Sequence, residues 1–91
     1  MELTGKLIEV FETEYVNDKF KKRICVIETV NNNYTQSIPV EFSQAKTDLL
    51  DNFSVDDNVT IQVNINGKKA NTRNGLGYFV TIAGWRIEKT N

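Results

Sequence analysis

From Val59 to Asn66 apolar and polar residues alternate without a break, Val59, Ile61, Val63 and Ile65 against Thr60, Gln62, Asn64 and Asn66. A period of two marks an antiparallel strand with one buried face. Gly67 to Gly77 follows, rich in Gly, Lys, Arg and Asn, and predicts a cationic hairpin tip of eleven residues. A further strand is predicted from about Tyr78 to Glu88, with Gly84 as a bend. Three strands precede this hairpin. The first runs from Glu2 to about Tyr15, with Leu7-Ile8 and Val10-Phe11 as apolar pairs and Gly5 as a bulge or tight bend. The second runs from Phe20 to about Val30, after the turn residues Asn17-Asp18-Lys19. The third runs from about Tyr34 to Phe42, after Asn31-Asn32-Asn33. Pro39 has no N–H to give a ladder, so an edge or a bulge is expected there.

One helix fits between the third and fourth strands. Ser43 is the expected N-cap of Gln44–Phe53, and Ala45, Leu49 and Phe53 recur every fourth residue, with Leu50 joining their stripe. At about ten residues this helix is stable only when docked on a core. Ser54-Val55-Asp56-Asp57-Asn58 turns the chain into the fourth strand, and Lys89-Thr90-Asn91 is a short end. Three strands, a plug helix and a closing hairpin predict an all-β fold, the five-stranded OB-fold Greek-key barrel, over residues 1–91 as one domain. An SH3-like barrel is the nearest competitor, and it usually lacks a helix of this length at this point.

Composition narrows the function classes. A chain of 91 residues buries roughly 65% of its unfolded surface, enough for one modest core. No apolar run approaches the roughly 20 residues of a membrane span, and Met1-Glu2-Leu3-Thr4-Gly5 lacks the layout of a signal peptide. A cytoplasmic protein, or one made inside an infected cell, is expected. Cys25 is the only cysteine and lies in the apolar run Ile24–Ile27, which predicts a buried small hydrophobe. With no histidine, neither a thiol nucleophile nor a zinc site is expected. Asp48, Asp51, Asp56 and Asp57 do not follow a calcium loop and read as a solvated face. No catalytic residue, metal or cofactor is expected, and an enzyme such as a nuclease is disfavoured for want of a nucleophile constellation.

Net charge is −1, but its distribution is uneven: residues 17–23 sum to +3 and 67–89 to +4, against −3 for 1–16 and −4 for 41–57. Segregation of this kind can focus field on one face of a nearly neutral protein.

The sequence also resembles a small single-domain OB family of unknown function found in bacteria and their phages. That family is similar to single-stranded-DNA-binding proteins and the primosomal replication protein. The resemblance spans nearly the whole chain and rests on Thr4-Gly5-Lys6-Leu7-Ile8, on Phe20-Lys21-Lys22-Arg23-Ile24-Cys25-Val26-Ile27-Glu28-Thr29 and on Ala83-Gly84-Trp85-Arg86-Ile87-Glu88. Phe20 stands where the family typically has a tryptophan before two lysines. Typical bacterial single-stranded-DNA-binding proteins end in a long tail with an acidic tip. The sequence stops at Asn91, and docking through such a tail is not expected.

In an OB barrel the ligand surface is the face of the second and third strands, flanked by the first and last hairpin loops. Single strands are held by cations on phosphates and aromatic faces on bases. The candidates are therefore Phe20, Lys21, Lys22 and Arg23 at the start of the second strand and Tyr34 at the start of the third. Lys68, Lys69 and Arg73 are candidates on the hairpin tip, and Phe79 and Trp85 on the last strand. Parity sets Phe79 with Thr81 and Ala83, and Tyr78 with the more apolar Val80 and Ile82, so Phe79 is the better groove candidate and Tyr78 a core residue, an assignment that a bulge would reverse. Each candidate has a plainer alternative: Phe20 in the core, Tyr34 capping an edge, Trp85 structural, the cations merely solvated. The expected function is sequence-tolerant binding of single-stranded DNA, with RNA the open alternative, in replication, recombination or repair. A homo-oligomer paired through exposed strand edges, the first strand foremost, would extend the groove. The rival is an OB-type protein-interaction module or accessory subunit that binds no nucleic acid itself.

Overall fold

The computed structural model describes residues 1–90; Asn91, the last residue of the expected short end, lies outside them. The described residues form β1 (Glu2–Val10), β2 (Glu14–Asn17), β3 (Phe20–Asn31), β4 (Tyr34–Ser43), a 3₁₀ helix (Gln44–Asn52), β5 (Asn58–Thr72) and β6 (Gly75–Lys89). The sheet order is β1-β5-β6-β4-β3-β2, and a further β1–β3 pairing closes five of these strands into a barrel. β2 lies outside the closure, paired only with the start of β3. This is the expected OB-fold, with its helix between the third and fourth barrel strands.

The first strand is shorter than expected. β1 pairs with β5 through Glu2–Lys6 and with β3 through Lys6–Val10, so it changes partner halfway. Gly5 sits at the crossing, where a Cβ would run into the backbone carbonyl oxygen of Glu28. A bulge at Ile8 shifts the register between Leu7 and Glu9. After Phe11 the polar residues Glu12, Thr13 and Glu14 offer no apolar face, and the chain leaves the barrel before returning as β2.

The barrel interior holds Leu7, Cys25, Ile27, Val40, Phe42, Val59, Ile61, Val63 and Ile87, with Leu50 of the helix closing one end. Each side chain of this size contributes about 1.5–3 kcal/mol on full burial. Cys25 is fully buried, as its apolar run predicts, and that burial pushes its thiol from 9.0 up to about 12, a protonated and inert group at neutral pH.

The helix departs from the α-type reading. It is a 3₁₀ helix, in which residues three apart stack. Thr47 and Leu50 are buried and Phe53 is half-buried, so the inward line has a spacing of three, and Ala45 is exposed. Ser43 is extended but makes no side-chain cap; Thr47 Oγ1 donates instead to the Gln44 carbonyl (2.9 Å).

The eleven-residue tip is not a loop. The β5–β6 ladder runs on to Thr72–Gly75, leaving Arg73 and Asn74 as a two-residue turn, with Gly75 at φ +110°. The result is a two-stranded arm that continues past the barrel. The β3–β4 hairpin also turns tightly, through Asn32 and Asn33 at φ 51° and 69°, the pair of positive φ values a type I′ turn requires.

Candidate nucleic-acid interface

Ladder partners share a face of a sheet, so the β3–β4 register sorts its residues. Cys25–Val40 and Ile27–Ile38 point inward; Lys22–Ser43, Ile24–Glu41, Val26–Pro39 and Glu28–Ser37 point outward. Half-buried Ile24 and Val26, with exposed Pro39, form an apolar strip on the outer face, bordered by Glu28, Glu41 and Lys22. The sequence reading missed this strip. Its signal was available: Ile24-Cys25-Val26-Ile27 is apolar at consecutive positions, so a strand with one face in the core must show apolar groups on the other.

The β5–β6 arm supplies the second wall. β6 meets β4 only at Glu41–Ala83, and N-terminal to that pair the strands are unpaired with each other. At the fork lies a cleft of about 160 Å³ lined by Ile24, Pro39, Glu41, Val80, Thr81 and Ile82. Ala83 shares the outer face with Glu41, and regular alternation carries that face to Thr81 and Phe79, with Asn66 and Lys68 as their partners on β5. Lys68 and Phe79 thus stand side by side on the continuation of the Ile24–Pro39 face. The opposite face of the arm carries Lys69 beside Tyr78. Tyr78 is not a core residue: it is 73% exposed, because the arm has left the barrel and has no interior to bury it in. Arg73 is at the tip, exposed. Trp85 is the extra residue of a bulge, since Gln62 pairs with Arg86 and Val63 with Gly84. Gly84 takes the inward place against the Phe42 ring and leaves Trp85 45% exposed.

The third wall is the connection from β1 through β2. A cleft of about 330 Å³ opens between Phe11, Glu12 and Glu14 on one side and Lys22, Arg23 and Ile24 on the other. Arg23 is engaged within the chain. Its Nε donates to the Phe11 carbonyl (2.7 Å), and one terminal nitrogen donates to Asp51 (2.7 Å) and the Thr47 carbonyl (3.3 Å). The guanidinium, 16% exposed, ties the end of β1 to the helix. Arg23→Ala should therefore lower stability by about 1 kcal/mol, since water can reach the freed acceptors on Phe11 and Asp51, and leave any salt dependence of ligand binding unchanged. Chemical denaturation and a binding titration on the same variant check both halves.

Phe20 and Lys21 line a neighbouring cleft of about 200 Å³ with Tyr15, Asn17, Asp18, Lys19 and Gln44. The Gln44 amide fixes this hairpin: Nε2 donates to the Lys19 carbonyl (2.9 Å) and Oε1 accepts from the Lys21 N–H (3.3 Å). Phe20 is half-buried. Tyr34 is 75% exposed at the tip of the β3–β4 hairpin, but its parity puts it with Ile38 and Val40, not with the outer strip. Of the sequence candidates, the ladders therefore bring Lys22, Lys68 and Phe79 to one face. They set Tyr34 and Lys69 on reverse faces, Arg73 at the arm tip, and Phe20 and Lys21 on the β2–β3 hairpin. No helix among the described residues is long and apolar enough to cross a membrane.

Comparison with known proteins agrees with this architecture. A family described as "Domain of unknown function (DUF3127)" matches residues 2–88. No curated protein matches in sequence. Among solved structures, the mitochondrial single-stranded DNA binding protein Rim1 of S. cerevisiae superposes with a TM-score of 0.69 at 11% identity, over 98% of this chain and 91% of that one. The dimeric N-terminal domain of PriB from Thermoanaerobacter tencongensis gives 0.69 at 16% identity, over 100% and 94%. At such identities the likeness establishes the shared fold.

Proposed function

The chain belongs to the DUF3127 family, a domain of unknown function, and we propose that it is a single-stranded DNA-binding protein without strong sequence preference that performs no chemistry on its ligand. One observation carries this reading: the Lys68–Phe79 ladder pair stands on the same face as the apolar strip of Ile24, Val26 and Pro39. A cation beside an exposed aromatic, continuing an apolar surface, supplies a phosphate contact and a base platform together. The OB-fold it shares with a mitochondrial single-stranded DNA binding protein is consistent with that use. Roles in replication, recombination or repair, and a single OB domain over residues 1–91, complete the proposal.

The interaction-module alternative has its own support. Glu28 and Glu41 flank the outer strip, and carboxylates there repel a phosphate backbone. Fluorescence titration with labelled single-stranded DNA, double-stranded DNA and RNA, each at two salt concentrations, separates the two readings. Single-strand binding should weaken with salt at a slope of roughly −0.7 per phosphate contact. Phe79→Ala should leave that slope nearly unchanged and cost about 1–3 kcal/mol of binding, the worth of one stacked base. Phe20→Ala should behave likewise if Phe20 stacks; a variant that unfolds would show Phe20 to be a core residue. No single-strand affinity even at low salt would hand the function to the interaction module.

A further inference from the structure

We propose that the outer edge of β6, from Leu76 to Ile82, pairs antiparallel with the same edge of a second copy of this chain. On the side away from β5, β6 has one ladder partner, Glu41 at Ala83; residues 75–82 have none on that edge among the described residues. An edge of this length presents a row of unpaired N–H and C=O groups, and proteins that stay monomeric blunt such rows with charge or proline. The segment reads Leu-Gly-Tyr-Phe-Val-Thr-Ile, with neither.

The other free edges are blunted. β4 carries Pro39 on the edge facing the fork. β2 is four residues long, begins at Glu14, and is followed by Asp18 and Lys19. β1, the strand expected to pair, uses its edges on β5 and β3; its stretch free of β3, Glu2–Gly5, opens with a carboxylate. β5 beyond Val63 carries Lys68 and Lys69 on its free edge, so among the described residues only the β6 edge is long, uncharged and apolar.

Its composition also fits a second copy in particular. In a two-fold antiparallel pair each strand meets its own sequence reversed, so a run without charge creates no like-charge opposition. The arm's cations, Lys68, Lys69 and Arg73, lie on β5 and in the turn, one strand away from the seam. Ile65, Leu76, Tyr78 and Val80 share one face of the arm and are all more than half exposed. Pairing two arms sets the two stripes side by side on one face of the joined sheet, where side chains pack across the seam, with Lys69 one strand away. If the nucleic-acid reading holds, the same pairing sets both Phe79–Lys68 faces on one four-stranded sheet, so the partner copy contributes to the binding surface.

The test is the oligomeric state of the full chain without nucleic acid, by sedimentation equilibrium at tens of micromolar. The wild type should be a dimer. Val80→Glu, at an exposed position that leaves the barrel core intact, should raise the dimer dissociation constant roughly 100-fold, because it sets two carboxylates diagonally across a desolvated seam. Tyr15→Glu, on β2, should leave the dimer unchanged. Amide exchange across residues 76–82 should slow as protein concentration rises. A monomeric wild type, or a dimer that survives Val80→Glu, overturns the proposal; dissociation with Tyr15→Glu would move the seam to β2. A dimer that binds no single strand keeps the pairing and removes the nucleic-acid reading; a monomer that binds does the reverse.

Discussion

Replacing Gly5 by alanine will destabilise the protein by about 3 kcal/mol, the upper end of what overpacking costs. The added methyl collides with the carbonyl oxygen of Glu28, which is backbone, so relief requires β1 and β3 to separate where β1 changes partner. Side-chain rotation cannot help. For a chain of this size a loss of that order lowers the Tm by roughly 12–24 °C. Gly84→Ala should be similarly costly, since its Cβ would lie 2.5 Å from the Phe42 ring, deep in the core. Gly67→Ala is the internal control. Nothing lies within 4 Å of a Cβ there, and the change should be neutral or stabilising by up to about 1 kcal/mol. Thermal melts of the three variants check the ranking; a Gly5→Ala protein that melts with the wild type would mean β1 does not cross β3 as described.

The contrast among these glycines shows what the sequence could and could not reveal. Val59, Ile61 and Val63 alternate and are buried, because a barrel strand has one inner face and period two reports it. The same alternation continues to Ile65, which is 55% exposed. Periodicity tells which side of a strand a residue occupies, not whether the strand still lies against a core. Tyr78 was misread for that reason. The Gly- and Asn-rich stretch 67–77 looked like a loop because it lacks an apolar face, yet an arm with both faces in water needs none. Gln44–Phe53 was legible as helical but not as 3₁₀, since one apolar residue more or less decides between spacings of three and four. Arg23 was hidden in a basic run. Its partners, Phe11, Thr47 and Asp51, come together only through the closure of the barrel, and no local pattern marks one cation of four as structural.

Removing the arm's charge in the triple variant Lys68→Ala, Lys69→Ala, Arg73→Ala will lower single-strand affinity about 100-fold at 0.1 M salt, if the proposed function is right. All three side chains are exposed on a two-stranded ribbon beyond the barrel core, so the melt should not move. A ribbon of two strands, roughly 5 Å apart, is narrow enough for a flexible strand to touch Lys68 on one face, Lys69 on the other and Arg73 at the tip. Each phosphate contact contributes roughly 0.7 to the slope of log affinity against log salt, so three contacts remove about 2. The same law fixes where the variants must agree: the counterion contribution vanishes near 1 M salt, so wild-type and triple-variant lines should converge there. Phe79→Ala should instead run parallel to the wild type, because stacking releases no counterions. A groove confined to the Phe79 face would leave Lys69 out and reduce the loss to roughly 25-fold. A triple variant whose slope equals that of the wild type would show that the arm does not carry the phosphates, and with it the Lys68–Phe79 pairing would lose its functional meaning.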